Sequence, residues 1–333
     1  MGSATENAVH SETSSPISAL RAAFHQGRAS IEQKLGVCTG MIPLESADQA
    51  ELLILISQDA DQRIADRALS SLRALPPEAF IAALGRTDAH EQVFAYCAKN
   101  IATQPEIAAA ILGNPACSEE ILTTIVQHLP ADSAKALADN LELLATKPIL
   151  ASTLLATSVL SLDQRKILEE LGQGAPDAEA LAEAISDVEP DPAKRLSLLQ
   201  RLAKMRVTER VQLAFKGGRE ERMALIRDSC KVVQRAVLMS PKLSEQEVEG
   251  FASITSLGDE VLRIIAGNRA YRKNYVVTHN LLFNPKTPLD ISLHLLPHAN
   301  PADMRTLAAN KNVPETLRTT ATKFHRQRTM KKD

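Results

Sequence analysis

A chain of 333 residues that is 44% hydrophobic can bury a continuous core, while 3% aromatics and no Trp leave that core to Ala and Leu. Such a composition suits close helix-on-helix packing and excludes a sandwich or barrel rich in β-branched and aromatic residues. The net charge of −2 hides a division: residues 1–200 carry 14 Lys+Arg against 27 Asp+Glu (−13), and residues 201–333 carry 24 against 13 (+11). Charge asymmetry of this kind points to a partner that prefers one sign.

Residues 1–15 have neither a basic start nor an apolar segment, so they read as a polar, disordered leader rather than a signal peptide. No apolar run approaches the roughly 20 residues that span a bilayer. Cys38, Cys97, Cys117 and Cys230 form no C-x-x-C pair and read as buried thiols of a reduced compartment. The expected location is the cytoplasm.

Residues 16–45 form an N-terminal helix and linker: Ile17, Leu20, Phe24, Ile31 and Leu35 share a helix face, Gly27 is a potential break, and Gly36–Leu44 reads as linker. From Ser46 a helical period begins, with Leu52, Leu53 and Leu55 followed by Ile64, Ala68, Leu69 and Leu72. Asp61 and Asp88 stand where N-caps belong, and Ser118 and Asp163 mark further helix starts. The pair of segments over residues 49–76 resembles a HEAT-type unit. Residues 46–189 form an acidic helical-repeat half, with breaks expected at Gly172–Pro176 and Glu189–Pro192 and the division near Pro190.

Residues 190–325 form the basic helical-repeat half, and 326–333 a basic tail, with Lys323–Lys332 expected to fray. Between Leu257 and Thr320, apolar runs close on Asn268, Asn284, Asn300 and Asn310, often with proline following. Asn tolerates the left-handed conformation that ends a helix and proline fits the first helical turn, so Asn-Pro reads as stop one helix and start the next. Ser240 to Asn284 is 44 residues and Asn268 to Asn310 is 42, a period in the range of HEAT and armadillo units. The expected fold is all-α: an α-solenoid of HEAT-like helix pairs in a right-handed superhelical array, since one helix pair cannot bury its own apolar face.

Phrases within residues 205–325, notably FNPKTP at 283–288 and NKNVPE at 310–315, resemble an uncharacterised bacterial family of helical-repeat proteins related to HEAT and variant leucine-rich repeats. Its members carry Asp-Pro-Asn-like turns where this chain has Asp228-Ser229-Cys230. The resemblance implies the fold and brings no catalytic residue with it.

Catalytic, cofactor and metal constellations are not found in the pattern. Gly217-Gly218, flanked by Lys216 and Arg219, reads as an interhelical turn ahead of a phosphate cradle. His294 and His298 stand at i and i+4, but Pro297 intervenes and no third ligand is near, so they read as a surface or capping pair. The adjacent acids Glu119-Glu120 and Glu169-Glu170 diverge on a helix and read as solvated. The partner-binding candidates are basic: Arg263, Arg269, Arg272 and Lys273 with Tyr275, then Lys286, Arg305, Lys311 and Arg318. Superposed repeats would align them as a positive ridge. The leading expectation is a non-enzymatic protein-binding scaffold. The alternative is nucleic-acid binding through phosphate contacts by the basic half, and self-association of the oppositely charged halves is a further expectation.

Overall fold

The computed structural model describes residues 16–174 and 192–330, and among these every regular element is a helix. The chain divides into two compact units, Met1–Ala136 and Leu137–Asp333. The expected division near Pro190 lies outside the described residues, as do the 1–15 leader and the break at Glu189–Pro190.

In the first unit, α1 (Pro16–His25) and α2 (Ile31–Thr39) precede α3 (Ser46–Ile56), α4 (Gln62–Ala74), α5 (Pro77–Leu84), α6 (Glu91–Asn100), α7 (Pro105–Gly113) and α8 (Glu119–His128). The expected helix over 17–35 is broken at Gly27, which takes a left-handed φ of 68° that costs glycine nothing. The expected linker is largely helical: α2 runs through Gly36 and ends at Gly40, whose φ of 71° caps it. Helices two apart pack together, α3 on α5, α5 on α7 and α6 on α8. Leu52, Leu53, Ile54, Leu84, Ile107 and Ile111 lie fully buried at these contacts. Proline opens α5 and α7 at positions whose amides need no helical partner.

Helix α9 (Ala131–Ala138) spans the division. The second unit continues with α10 (Leu141–Thr146), α11 (Pro148–Leu155), α12 (Leu162–Leu171), α13 (Pro192–Ala203), α14 (Val207–Lys216), α15 (Arg219–Leu225), α16 (Lys231–Met239) and α17 (Glu245–Ser253). Next come α18 (Asp259–Gly267), α19 (Arg269–Arg272), α20 (Tyr275–Phe283), α21 (Leu289–Leu295) with a 3-10 turn Leu296–His298, α22 (Pro301–Ala309) and α23 (Glu315–Met330). Here α14 packs on α16, α16 on α18, and α17 on α20. The starts of such packed helices lie 24 to 31 residues apart in the two units, not at the 42–44 read between Asn and Ser markers. Within the span expected to fray, α23 is helical to Met330 and Arg328 Nη1 donates to Ala299 O at 2.8 Å, while 331–333 lie outside the described residues.

The asparagine punctuation is structural, but its mechanism differs from the expectation. Asn268, Asn284, Asn300 and Asn310 all have negative φ with extended ψ; for Asn284 the values are −79° and 118°. Among the described residues only Gly27 and Gly40 have positive φ. At Asn268, Asn284 and Asn310 the side-chain oxygen accepts from the amide two residues on, whereas Asn300 makes no side-chain cap bond. Asn284 Oδ1 accepts from Lys286 N at 3.0 Å, an Asx turn, while its Nδ2 donates to Ala252 O at 2.9 Å and Ile254 O at 3.0 Å. Those two carbonyls close α17. Asn114 repeats the device in the first unit: Oδ1 accepts from Ala116 N at 2.8 Å, and Nδ2 donates to Leu84 O at 2.6 Å and Arg86 O at 2.9 Å, closing α5. Both side chains are about 5% exposed or less. Nor does Asn-Pro start a helix at once after these two residues, since α8 begins at Glu119 and α21 at Leu289; only Asn300-Pro301 stops and starts directly.

Asp228 makes the same Asx turn as Asn114 and Asn284, its Oδ1 accepting from Cys230 N at 2.8 Å. Its second oxygen pairs with Arg210, and both side chains are buried. A second buried pair, Arg222 on α15 and Glu247 on α17, is bidentate at 2.9 and 3.1 Å. Burial alone would raise the Glu247 carboxyl, but Arg222 and the Ser244 cap outweigh it and hold it below the ordinary glutamate value.

Replacing Asn284 with alanine strands two helix-end carbonyls and one amide. Asn284→Ala is expected to cost about 2 kcal/mol, read as a lower urea midpoint, and an unchanged midpoint contradicts the latch. Asn284→Asp keeps the turn acceptor but turns a carboxylate on two carbonyl oxygens, so it is expected to lose at least as much.

Candidate functional site

Most titratable clusters in the structure are consumed by architecture. In the first unit, Glu51 is 1% exposed and receives Arg21 at 2.8 Å, His25 Nε2 at 2.8 Å and His90 N at 3.2 Å. Asp48 beside it pairs with Arg86 and, at 3.4 Å, with Arg21. Asp88, expected as an N-cap, instead meets Arg21 at 2.9 Å, and His90 caps α6 through Nδ1. Burial, then the neighbouring His25, holds the His90 imidazole below its ordinary value. This network ties α1 to α3 and to the turn before α6.

The Gly217-Gly218 turn is likewise occupied. Gly218 N donates to Glu221 Oε2 at 2.8 Å, so a carboxylate already stands where an anion would sit. Gly217 is required by space, because a Cβ there would lie 2.5 Å from Leu213 O. Cys97 is fully buried, which pushes its thiol up to about 12. Among the described residues, no group of three His, Cys, Asp or Glu side chains is placed to hold a metal ion. No described helix is long and apolar enough to cross a membrane.

The nine basic-half candidates fall into distinct groups. Tyr275 is taken by structure: its hydroxyl donates to Asp303 and accepts from Asn300 N at 2.8 Å, while His279 Nδ1 lies 3.2 Å from the same carboxylate. Burial, then the Asp303 contact, raises its phenol. Arg269, Lys273, Lys286, Arg305 and Lys311 are exposed, and Arg318 is half-buried on α23.

Arg263 and Arg272 are brought together. They share a groove of about 340 Å³ bounded by α18, α19 and α21, with Asp290 and His294 on its other side. Ala266, Gly267, Ile291 and Leu295 supply an aliphatic lining. Arg263 Nη1 reaches Asp290 Oδ2 at 2.8 Å, which raises the guanidinium and lowers the carboxyl relative to their ordinary values. Arg272 is half-buried, and its Nε is enclosed without an acceptor among the described residues. A second groove of about 360 Å³ has Lys166, Glu170, Lys231 and Glu260 on its walls, but there the signs are already matched, as Lys231 and Glu260 stand 3.0 Å apart.

Asp290 was absent from the sequence-derived set, and His294 entered it only as half of a histidine pair. The usable signal was the i,i+4 spacing of Arg263 with Gly267 and of Asp290 with His294, which puts each pair on one helix face. Tyr275→Phe is expected to lower stability by about 1 kcal/mol in urea unfolding, and a variant as stable as the parent contradicts the structural role. Compared with known proteins, this chain matches no family model, no curated protein and no solved structure.

Proposed function

We propose that this chain is a non-enzymatic binding scaffold, an α-solenoid of HEAT-like helix pairs that holds a protein partner on the surface of its basic half. The observation that carries the reading is the contrast in the second unit between satisfied and available charge. The buried ions, Arg210 with Asp228 and Arg222 with Glu247, are matched internally and spent on packing. Arg269, Lys273, Lys286, Arg305 and Lys311 stand exposed on or beside successive helices from α19 to α23. Packing of helices two apart supports repeat-like stacking, which gives many weak contacts a common surface on which to add.

The same exposed cations favour a second reading, contact with nucleic-acid phosphates. That reading requires affinity that collapses between about 50 and 200 mM salt, because each neutralised phosphate releases counterions. Cross-linking mass spectrometry of the full chain in its native lysate, beside a variant with Lys273, Lys286 and Lys311 changed to Glu, separates the two. The scaffold reading expects one recurrent protein cross-linked to α19–α23 and lost in the variant. Recovery of nuclease-sensitive material alone, together with steeply salt-dependent duplex binding, would instead install the nucleic-acid reading.

A further inference from the structure

The groove between α18, α19 and α21 has a chemistry narrower than a general basic surface. Its volume of about 340 Å³ is at the small end of ligand sites and suits one or two side chains. Its floor is aliphatic, with Leu295 and Ala266 buried and open space above Gly267, where an added Cβ would meet nothing within 4 Å. On its rim stands Arg272, half-buried with its Nε enclosed, so that its terminal Nη atoms are the ones able to donate to a ligand carboxylate. Arg263 is paired with Asp290, and the two side chains are 53% and 65% exposed. A pair that open to solvent is weak and exchanges readily for a better-placed acid.

We propose that this groove binds an acidic, aliphatic-rich peptide segment of the partner protein, one aliphatic side chain resting over Gly267 and an adjoining Asp or Glu carboxylate held by Arg272 and Arg263. The inference rests on the scaffold reading and names its partner's chemistry. Charge complementarity selects the occupant: two guanidinium groups, Arg263 and Arg272, face a single acid, Asp290. Asp290 can accept from a peptide N–H, a donor that a phosphate backbone lacks. The lining offers no Phe, Tyr or Trp face on which a base would stack.

Fluorescence anisotropy of the full chain with a labelled peptide of alternating Asp/Glu and Leu, beside its Lys-for-acid counterpart, tests this. The acidic peptide is expected to bind and the basic one not to. Arg272→Gln is expected to weaken binding about tenfold, the loss of one charge-assisted contact. Gly267→Leu, which fills the floor and leaves every charge in place, is expected to abolish it. Asp290→Asn is expected to tighten binding about threefold by releasing Arg263 from an exposed pair. Urea midpoints establish that each variant is folded, and Arg272→Gln carries the test if Gly267→Leu is not. Absence of acidic-peptide binding, or binding indifferent to both Gly267→Leu and Arg272→Gln, overturns the proposal. So does a single-stranded oligonucleotide that displaces the peptide and responds to the same variants. A protein partner cross-linked elsewhere on α19–α23 would sink the groove while leaving the scaffold reading in place.

Discussion

Short helices end often, and every end leaves carbonyls without a helical partner. The helices here run from 4 to 16 residues, most of them 8 to 10, so a large share of the backbone lies in first and last turns. Burying such ends requires donors from elsewhere. Asn114 and Asn284 provide them by a shared geometry: one side-chain oxygen shapes the local turn, and the amide nitrogen donates to a last-turn carbonyl of a helix and to a carbonyl just beyond its end, 28 to 32 residues earlier. A single carboxamide thereby couples a turn to the helix it packs on. Local and tertiary structure form together at these points.

With an acid in place of the amide, as at Asp228, only half of this device survives. The Asx turn is kept, but a carboxylate cannot donate to carbonyls, and it recruits Arg210 from α14 instead. Arg222 and Glu247 join α15 to α17 in a comparable way, with Glu247 also completing the α17 cap through Ser244. Removing one member of such a pair leaves an uncompensated buried charge, at a cost of about 3–5 kcal/mol. The Arg263–Asp290 pair is of another kind, exposed on both sides, so its loss leaves no buried charge uncompensated.

Helix content and many helix starts were legible from the residues. Pro77, Pro105, Pro148 and Pro301 open helices because their missing amides cost nothing there, and Asp61 caps α4 as its position implies. The importance of Asn284 was legible too, but not its mechanism, because the carbonyls it closes lie about 30 residues away and sequence spacing does not name them. Asp88 was misassigned as a cap for the same reason, since it is held by the distant Arg21, and the bond of Tyr275 to Asp303 was equally invisible in the spacing. Of the basic set, spacing could identify positively charged positions but not which of them an acid already answers.

The asparagine latch couples a turn to a preceding helix, and hydrogen exchange on Asn114→Ala reads that coupling directly. In that variant, amides at 81–86, around the end of α5, and amides at 116–122, across the turn into α8, are expected to lose protection together. Faster exchange confined to 114–118, with the end of α5 as protected as in the parent chain, would contradict it.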